Sequence, residues 1–225
     1  MFVKNRMKKD MVTIDADDSI LDARMLIEEK KVRRLPVMEG KRLVGVISRR
    51  DIADVSPSPA TSLSVREINH LLDRMKVREI MIKNPVTISP EALLEEAATL
   101  MREQKFSFLP VLEDGELIGV ITESNIFEAF IELLGFKEPG TRFTIEVDDV
   151  PGVMLKLAGI IGEFGTNILH IAVYRDKENN RSSIVIGVNT AETTELEKKM
   201  EESGFSIRYV LKIPENGRYS PDSGQ

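Results

Sequence analysis

The sequence predicts a mixed α+β (α/β) protein, built from a duplicated strand–helix–strand–strand–helix unit and a separate C-terminal βαββαβ module. Three observations lead there. The chain of 225 residues repeats itself at an offset of 74, its apolar residues switch between strand and helix periodicity in a fixed order, and the pattern changes at Arg142. Leu35-Pro36-Val37 recurs as Leu109-Pro110-Val111, and Gly45-Val46-Ile47 as Gly119-Val120-Ile121. Val12-Thr13-Ile14 recurs as Val86-Thr87-Ile88. Met7, Ala23, Leu26 and Ile52 recur as Met81, Ala97, Leu100 and Ile126, with no gap.

Each copy opens with a short strand, Val12 to Ile14 in the first. Ile20, Ala23, Leu26 and Ile27 follow at the three- and four-residue spacing of one helix face, and Lys30-Lys31 ends that helix. Leu35 to Met38 and Leu43 to Ile47 read as two strands around a Glu39-Gly40-Lys41 turn, with Glu113-Asp114-Gly115 as the second copy's turn. Ser48 and Thr122 are expected to cap the next helices, because a hydroxyl accepts from the unpaired N–H groups of a first turn. Between the copies two Ser-Pro steps disfavour helix. Ser64-Val65-Arg66-Glu67 then has capping-box spacing ahead of an amphipathic helix bearing Val65, Ile68, Leu71, Leu72 and Met75. That helix is expected to pack on a sheet or on a second subunit, with His70 beside its apolar residues as a partly buried or interface histidine.

In the C-terminal third, Phe143 to Val147 alternates as a half-buried strand and Asp148 to Met154 turns into a helix that ends at Gly165-Thr166-Asn167. Strands Ile168 to Tyr174 and Ser183 to Val188, a helix Glu192 to Glu202 and a strand Phe205 to Leu211 complete βαββαβ, a ferredoxin-like order. The tail 214–225, rich in Pro, Gly, Ser and Asn, is expected to be disordered.

Composition narrows the chemistry. There is no cysteine, which excludes disulfides, thiolate nucleophiles and cysteine-bound metal, and the only histidines are His70 and His170, so no metal site is expected. No apolar run approaches the ~20 residues that cross a bilayer, and Met1 to Asp10 is too charged for a signal peptide, so the expectation is a cytoplasmic protein without a membrane partner. A net charge of −6 argues against a nucleic-acid partner. The charge is uneven, however: residues 1–54 carry 13 Lys/Arg against 10 Asp/Glu, while residues 55–140 carry 8 against 14. An anionic ligand therefore belongs with the first segment. No nucleophile elbow, phosphate-binding loop or metal spacing is present, and no enzyme is expected.

The x-Leu-Pro-Val strand followed by Gly-Val-Ile-(Ser/Thr)-x-x-(Asp/Asn)-Ile, found twice within residues 7–134, resembles the CBS domain, which works as tandem pairs. The resemblance implies one domain at 7–54, a connector with its helix at 55–76, and a second domain at 77–134. It also implies that the hydroxyl and acidic residues of the motif approach the ribose of an adenosine nucleotide while basic residues meet phosphate. The copies differ at those positions. The first has Arg33-Arg34 before Leu35-Pro36 and Ser48-Arg49-Arg50-Asp51 after its second long strand, whereas the second has Ser107-Phe108 and Thr122-Glu123-Ser124-Asn125. A carboxylate accepts two hydrogen bonds from a vicinal diol and a guanidinium fork matches phosphate; Asn125 offers one acceptor oxygen. The candidate nucleotide-binding residues are thus Thr13, Arg33, Arg34, Pro36, Ser48, Arg49, Arg50, Asp51, Thr122 and Asn125. The ligand would be AMP, ADP, ATP or S-adenosylmethionine in a regulatory role, with no cofactor required. The plainer alternatives are arginines on a solvated face and Asp51 as a first-turn charge favoured by the helix dipole.

Asp149-Val150-Pro151-Gly152-Val153-Met154 with Gly165-x-Asn167-Ile168 resembles the ACT domain, over residues 142–213. That likeness implies an amino-acid site at a subunit interface, formed by Asp149, Gly152, Val153, Asn167 and Ile168. Gly152 has a plain alternative as a loop that needs a small residue. The Ser-Pro-Ser-Pro-Ala-Thr-Ser-Leu connector is similar to that of acetoin-utilization-type CBS–ACT proteins. The combined expectation is a regulatory homodimer or larger homo-oligomer serving acetoin catabolism; the alternative is a ligand-free scaffold that regulates a partner by contact.

Overall fold

The computed structural model describes residues 1–57, 62–176 and 178–215. Two compact units divide the chain, Met1–Phe127 and Glu128–Gln225. The Ser58–Thr61 part of the Ser-Pro connector and the tail from residue 216 lie outside the described residues.

The first unit holds both copies. Strand β1 (Ile14–Asp15) leads to helix α1 (Ile20–Glu29), then β2 (Arg34–Glu39), β3 (Arg42–Ser48) and α2 (Arg49–Val55). Ser19 and Ser48 start the two helices as capping boxes: each hydroxyl accepts from the backbone of Asp22 or Asp51, whose carboxylate in turn accepts from the serine N–H. Lys31, with φ of 53°, takes the left-handed turn that ends α1. The connector helix α3 (Val65–Arg74) carries the expected Ser64–Glu67 box. The second copy then runs through α4 (Val77–Ile80), β4 (Ile82–Lys83), α5 (Leu94–Gln104), β5 (Phe108–Glu113), β6 (Glu116–Thr122) and α6 (Glu123–Leu133).

The copies share one register. Arg34 pairs with Ser48 and Phe108 with Thr122, and both hairpins carry a bulge at the same place, after Val37 and after Val111. Ile14 meets Val37 in parallel just as Ile88 meets Val111. The copies are also intertwined. The segment before the second copy packs on the first: Ile20 N–H donates to Met75 C=O and Val77 N–H to Asp18 C=O, while Val46 pairs with Ile82. Residues 1–8 repeat this on the second copy, with Leu94 N–H donating to Met1 C=O, Val3 N–H to Ala92 C=O, and Lys8 paired with Val120. Gly45 and Gly119 allow these crossings, since a Cβ at either would strike Met81 or Met7. Ile20, Ala23, Ile27, Leu35, Val37, Ile47, Ile52, Leu72 and Val77 form one buried cluster.

Helix α3 departs from expectation in part. Leu72 is buried, with Ile68 and Met75 packed on the same cluster, and Arg24 Nη2 of α1 donates to Asn69 Oδ1 at 2.8 Å. Val65 and Leu71 are exposed, and so is His70, which corrects the partly buried reading. His70 and Leu71 lie off the 68–72–75 stripe, whereas Val65, seven residues before Leu72 and so on the same side, is exposed as the first residue of the helix.

The second unit runs β7 (Gly140–Asp148), α7 (Val153–Glu163), β8 (Ile168–Asp176), β9 (Arg181–Val188), α8 (Thr194–Glu202) and β10 (Ser206–Ile213). Its antiparallel sheet has the order β10-β7-β9-β8, the ferredoxin-like arrangement. Phe143, Ile145, Leu157, Ile161, Ile184, Ile186, Leu196 and Met200 fill the space between helices and sheet. No helix among the described residues is long and apolar enough to cross a membrane.

Candidate functional site

Because the copies are intertwined, the clefts between them take walls from both. A cleft of about 460 Å³ lies where Arg33, Arg34 and Pro36 of the first copy face Val120, Thr122, Glu123 and Ser124 of the second. Lys8, Lys30 and Lys31 join them, so five cations oppose two carboxylates, Asp10 and Glu123. That excess, flanked by the hydroxyls of Thr122 and Ser124 and by the ring of Phe108, suits a phosphate attached to a planar group.

A second cleft of about 120 Å³ repeats the first at the 74-residue offset. Pro110 stands where Pro36 stands, Val86 for Val12, and Val46 for Val120. Its chemistry is different. Ser107 replaces Arg33 and Phe108 replaces Arg34, so Phe106, Phe108, Pro85, Pro110 and Val86 make an apolar wall. Among the described residues the one charged group lining it is Arg34, whose Nη1 donates to Ser107 Oγ at 2.6 Å.

The remaining candidates are distributed around these clefts. Thr13 lines neither of them; it borders a hollow of about 520 Å³ with Asp15, Asp18 and Glu116 against Lys41, a negative surround that disfavours phosphate. Ser48 is paired with Arg34, and Arg49 N–H donates to Arg33 C=O at 3.1 Å, so the first-copy motif begins beside the arginines on the backbone. Its side chains do not line the cation-rich cleft. Asp51 Oδ2 accepts from Ser48 N and Oγ at 2.7 and 2.6 Å. Arg50 is exposed, with Asp54 at 4.0 Å. In the second copy Asn125 Oδ1 accepts from Thr122 N and Oγ1 at 3.0 and 2.6 Å. Arg33 and Arg34 thus line the cation-rich cleft, while Asp51 lines neither cleft. The residues facing the arginines are Thr122, Glu123 and Ser124, because strand β6 of the other copy closes the cleft, and Asn125 lines neither cleft.

Residues that the sequence reading passed over, Lys8, Lys30, Lys31 and Ser107, line the same clefts. The repeat itself carried the signal: Met7 aligns with Met81, and a segment that precedes one copy has to pack somewhere.

In the ACT region the five candidates separate into two groups. Asp149, Gly152 and Val153 sit at the turn into α7, where Gly152 has φ of +92° and is the helix N-cap. Asp149 Oδ2 lies 3.4 Å from Arg175 Nε. Ile168 is level with Val188 and Thr141, at the opposite end of the sheet from Asp148, and Asn167 N–H donates to Asn189 Oδ1 at 2.9 Å. About 20 Å of strand separates the groups within one chain. Nearby, Glu146 is held below the usual carboxylate range by its hydrogen bond from Arg208, with Arg181 adding attraction and burial opposing, so these cations are already paired.

The CBS domain family matches residues 3–58 and 77–132, and the ACT domain family matches residues 141–205. A CBS domain-containing protein of Dictyostelium discoideum is 35% identical over 136 residues, covering 60% of this chain and 94% of that protein. An inosine-5'-monophosphate dehydrogenase of Korarchaeum cryptofilum is 37% identical over 120 residues, 53% of this chain; the match spans 22% of the enzyme's length. Among solved structures, an acetoin utilization protein from Vibrio cholerae superimposes with a TM-score of 0.50 at 27% identity, covering 60% of this chain and 94% of that one.

Proposed function

The chain belongs to the CBS domain family and carries a C-terminal ACT domain, and from that premise we propose that it is a non-catalytic regulatory protein whose CBS pair binds an adenosine nucleotide. One observation carries this reading: five cations and three hydroxyl side chains converge on a single cleft between the copies. Arg33 and Arg34 would hold phosphate, Pro36 and Phe108 would flank the base, and Thr122 with Asn125 would face the ribose. By the same twofold relation Ser48 and Asp51 belong beside the second, apolar cleft. Asp51 keeps Oδ1 for a sugar hydroxyl there, since its cap uses Oδ2. The ACT module would take an amino acid only where a second copy brings Asn167 and Ile168 to Asp149, Gly152 and Val153, which favours a homodimer. The Vibrio cholerae protein and the Ser-Pro connector point to acetoin utilization as the process served, in the cytoplasm.

Calorimetric titration with AMP, ADP, ATP and S-adenosylmethionine tests this. At least one should bind with a Kd below about 1 mM, equivalent to ~4 kcal/mol, and Arg33→Ala should weaken it at least tenfold. A second reading, a scaffold acting by protein contact, is favoured by the engagement of both Asp51 and Asn125 in helix caps. No heat from any of the four ligands would establish that reading instead.

A further inference from the structure

Arg34 and Ser107 both line both clefts, and the hydrogen bond from Arg34 Nη1 to Ser107 Oγ at 2.6 Å sets where the guanidinium lies between them. We infer that Arg34 couples the two clefts: an anion in the cation-rich cleft draws the guanidinium off Ser107, and this opens the apolar cleft to an uncharged nucleoside. The inference rests on the nucleotide reading above and adds its regulation.

The asymmetry between copies gives the coupling its direction. The position equivalent to Arg34 is Phe108, and the position equivalent to Arg33 is Ser107, so only one of the two clefts has cations of its own. At about 120 Å³ the apolar cleft, with Arg34 across it, has room for little more than a base. Its aromatic and proline walls suit stacking against such a ring. With no second cation it offers a phosphate nothing once Arg34 has turned away, so its ligand is a nucleoside rather than a nucleotide. A nucleoside seated there displaces Arg34 toward the cation-rich cleft, and the two ligands therefore strengthen each other. Linkage makes the effect equal in both directions.

Titrate AMP into the full chain with and without saturating adenosine, for the wild type, Ser107→Ala and Ser107→Thr. Adenosine should tighten AMP at least fivefold in the wild type. Ser107→Ala, which releases Arg34 in advance, should bind AMP several-fold tighter than wild type and lose most of the adenosine effect. Ser107→Thr keeps the hydroxyl and should behave as wild type. AMP binding that is unchanged by adenosine, or a Ser107→Ala chain that matches wild type, overturns the coupling while leaving the nucleotide reading intact. Failure of AMP to bind the wild type at all overturns the nucleotide reading and the coupling with it.

Discussion

His170 lies on β8 opposite Gly187, with Gly135 against its ring, and a Cβ at either glycine would collide with the imidazole. Both ring nitrogens are buried without a hydrogen-bond partner among the described residues. Burial pushes the imidazole below its usual pKa near 6.5, Arg142 pushes the same way, and Glu138 opposes. The folded chain thus keeps His170 neutral, while the unfolded chain takes up a proton as pH falls past about 6.5. With more protons bound in the unfolded state, stability of this unit is full above that pH and declines below it. Urea midpoints followed through Tyr209 or Tyr174 should fall between pH 7 and 5.5 in the wild type and hold steadier in His170→Phe. A wild type as pH-insensitive as the variant would remove His170 from the account. At this scale the helix caps were legible, since Ser48, Thr122 and Ser64 precede their helices at the expected spacing. The partners of His170 were not, because they come from a loop and a strand distant in sequence.

Segment Met1–Lys8 and its repeat partner Met75–Ile82 perform the same task on opposite copies. Val3 and Val77 are both fully buried, each under the other copy's helix N-terminus. Removing such a side chain forfeits about 1.5–3 kcal/mol of burial, and in a body of this size ~2 kcal/mol corresponds to roughly 4–8 °C. Val3→Ser and Val77→Ser should therefore lower the unfolding midpoint of the first unit by similar amounts, with Val65→Ser, exposed on α3, close to neutral. Unequal effects from the matched pair would show that the twofold arrangement does not govern stability. The duplicated elements were readable from an ungapped 74-residue shift, down to their turns and caps. Which copy each flanking segment packs on was not, because an internal repeat looks the same whether its parts fold onto themselves or onto each other. That ambiguity is why Asp51 was grouped with Arg33 and Arg34, whereas the cleft is closed by Thr122.

Across the whole molecule, two units with separate cores are joined in sequence through α6, and each candidate site depends on pieces brought from elsewhere. In the ACT module, length arithmetic anticipates the problem: an 11-residue helix spans about 16 Å, so the residues before and after α7 cannot meet in one chain. The CBS pair meets its requirement internally, since both walls of its cation-rich cleft come from the same unit. Whether this cleft holds the phosphate of an adenosine nucleotide is decided by a crystal structure of the full chain grown with AMP. The phosphate should lie within hydrogen-bond reach of Arg33 and Arg34, with the base between Pro36 and Phe108. Phosphate bound instead in the acidic hollow beside Thr13 and Asp18, or crystals with no nucleotide at millimolar AMP, would contradict it.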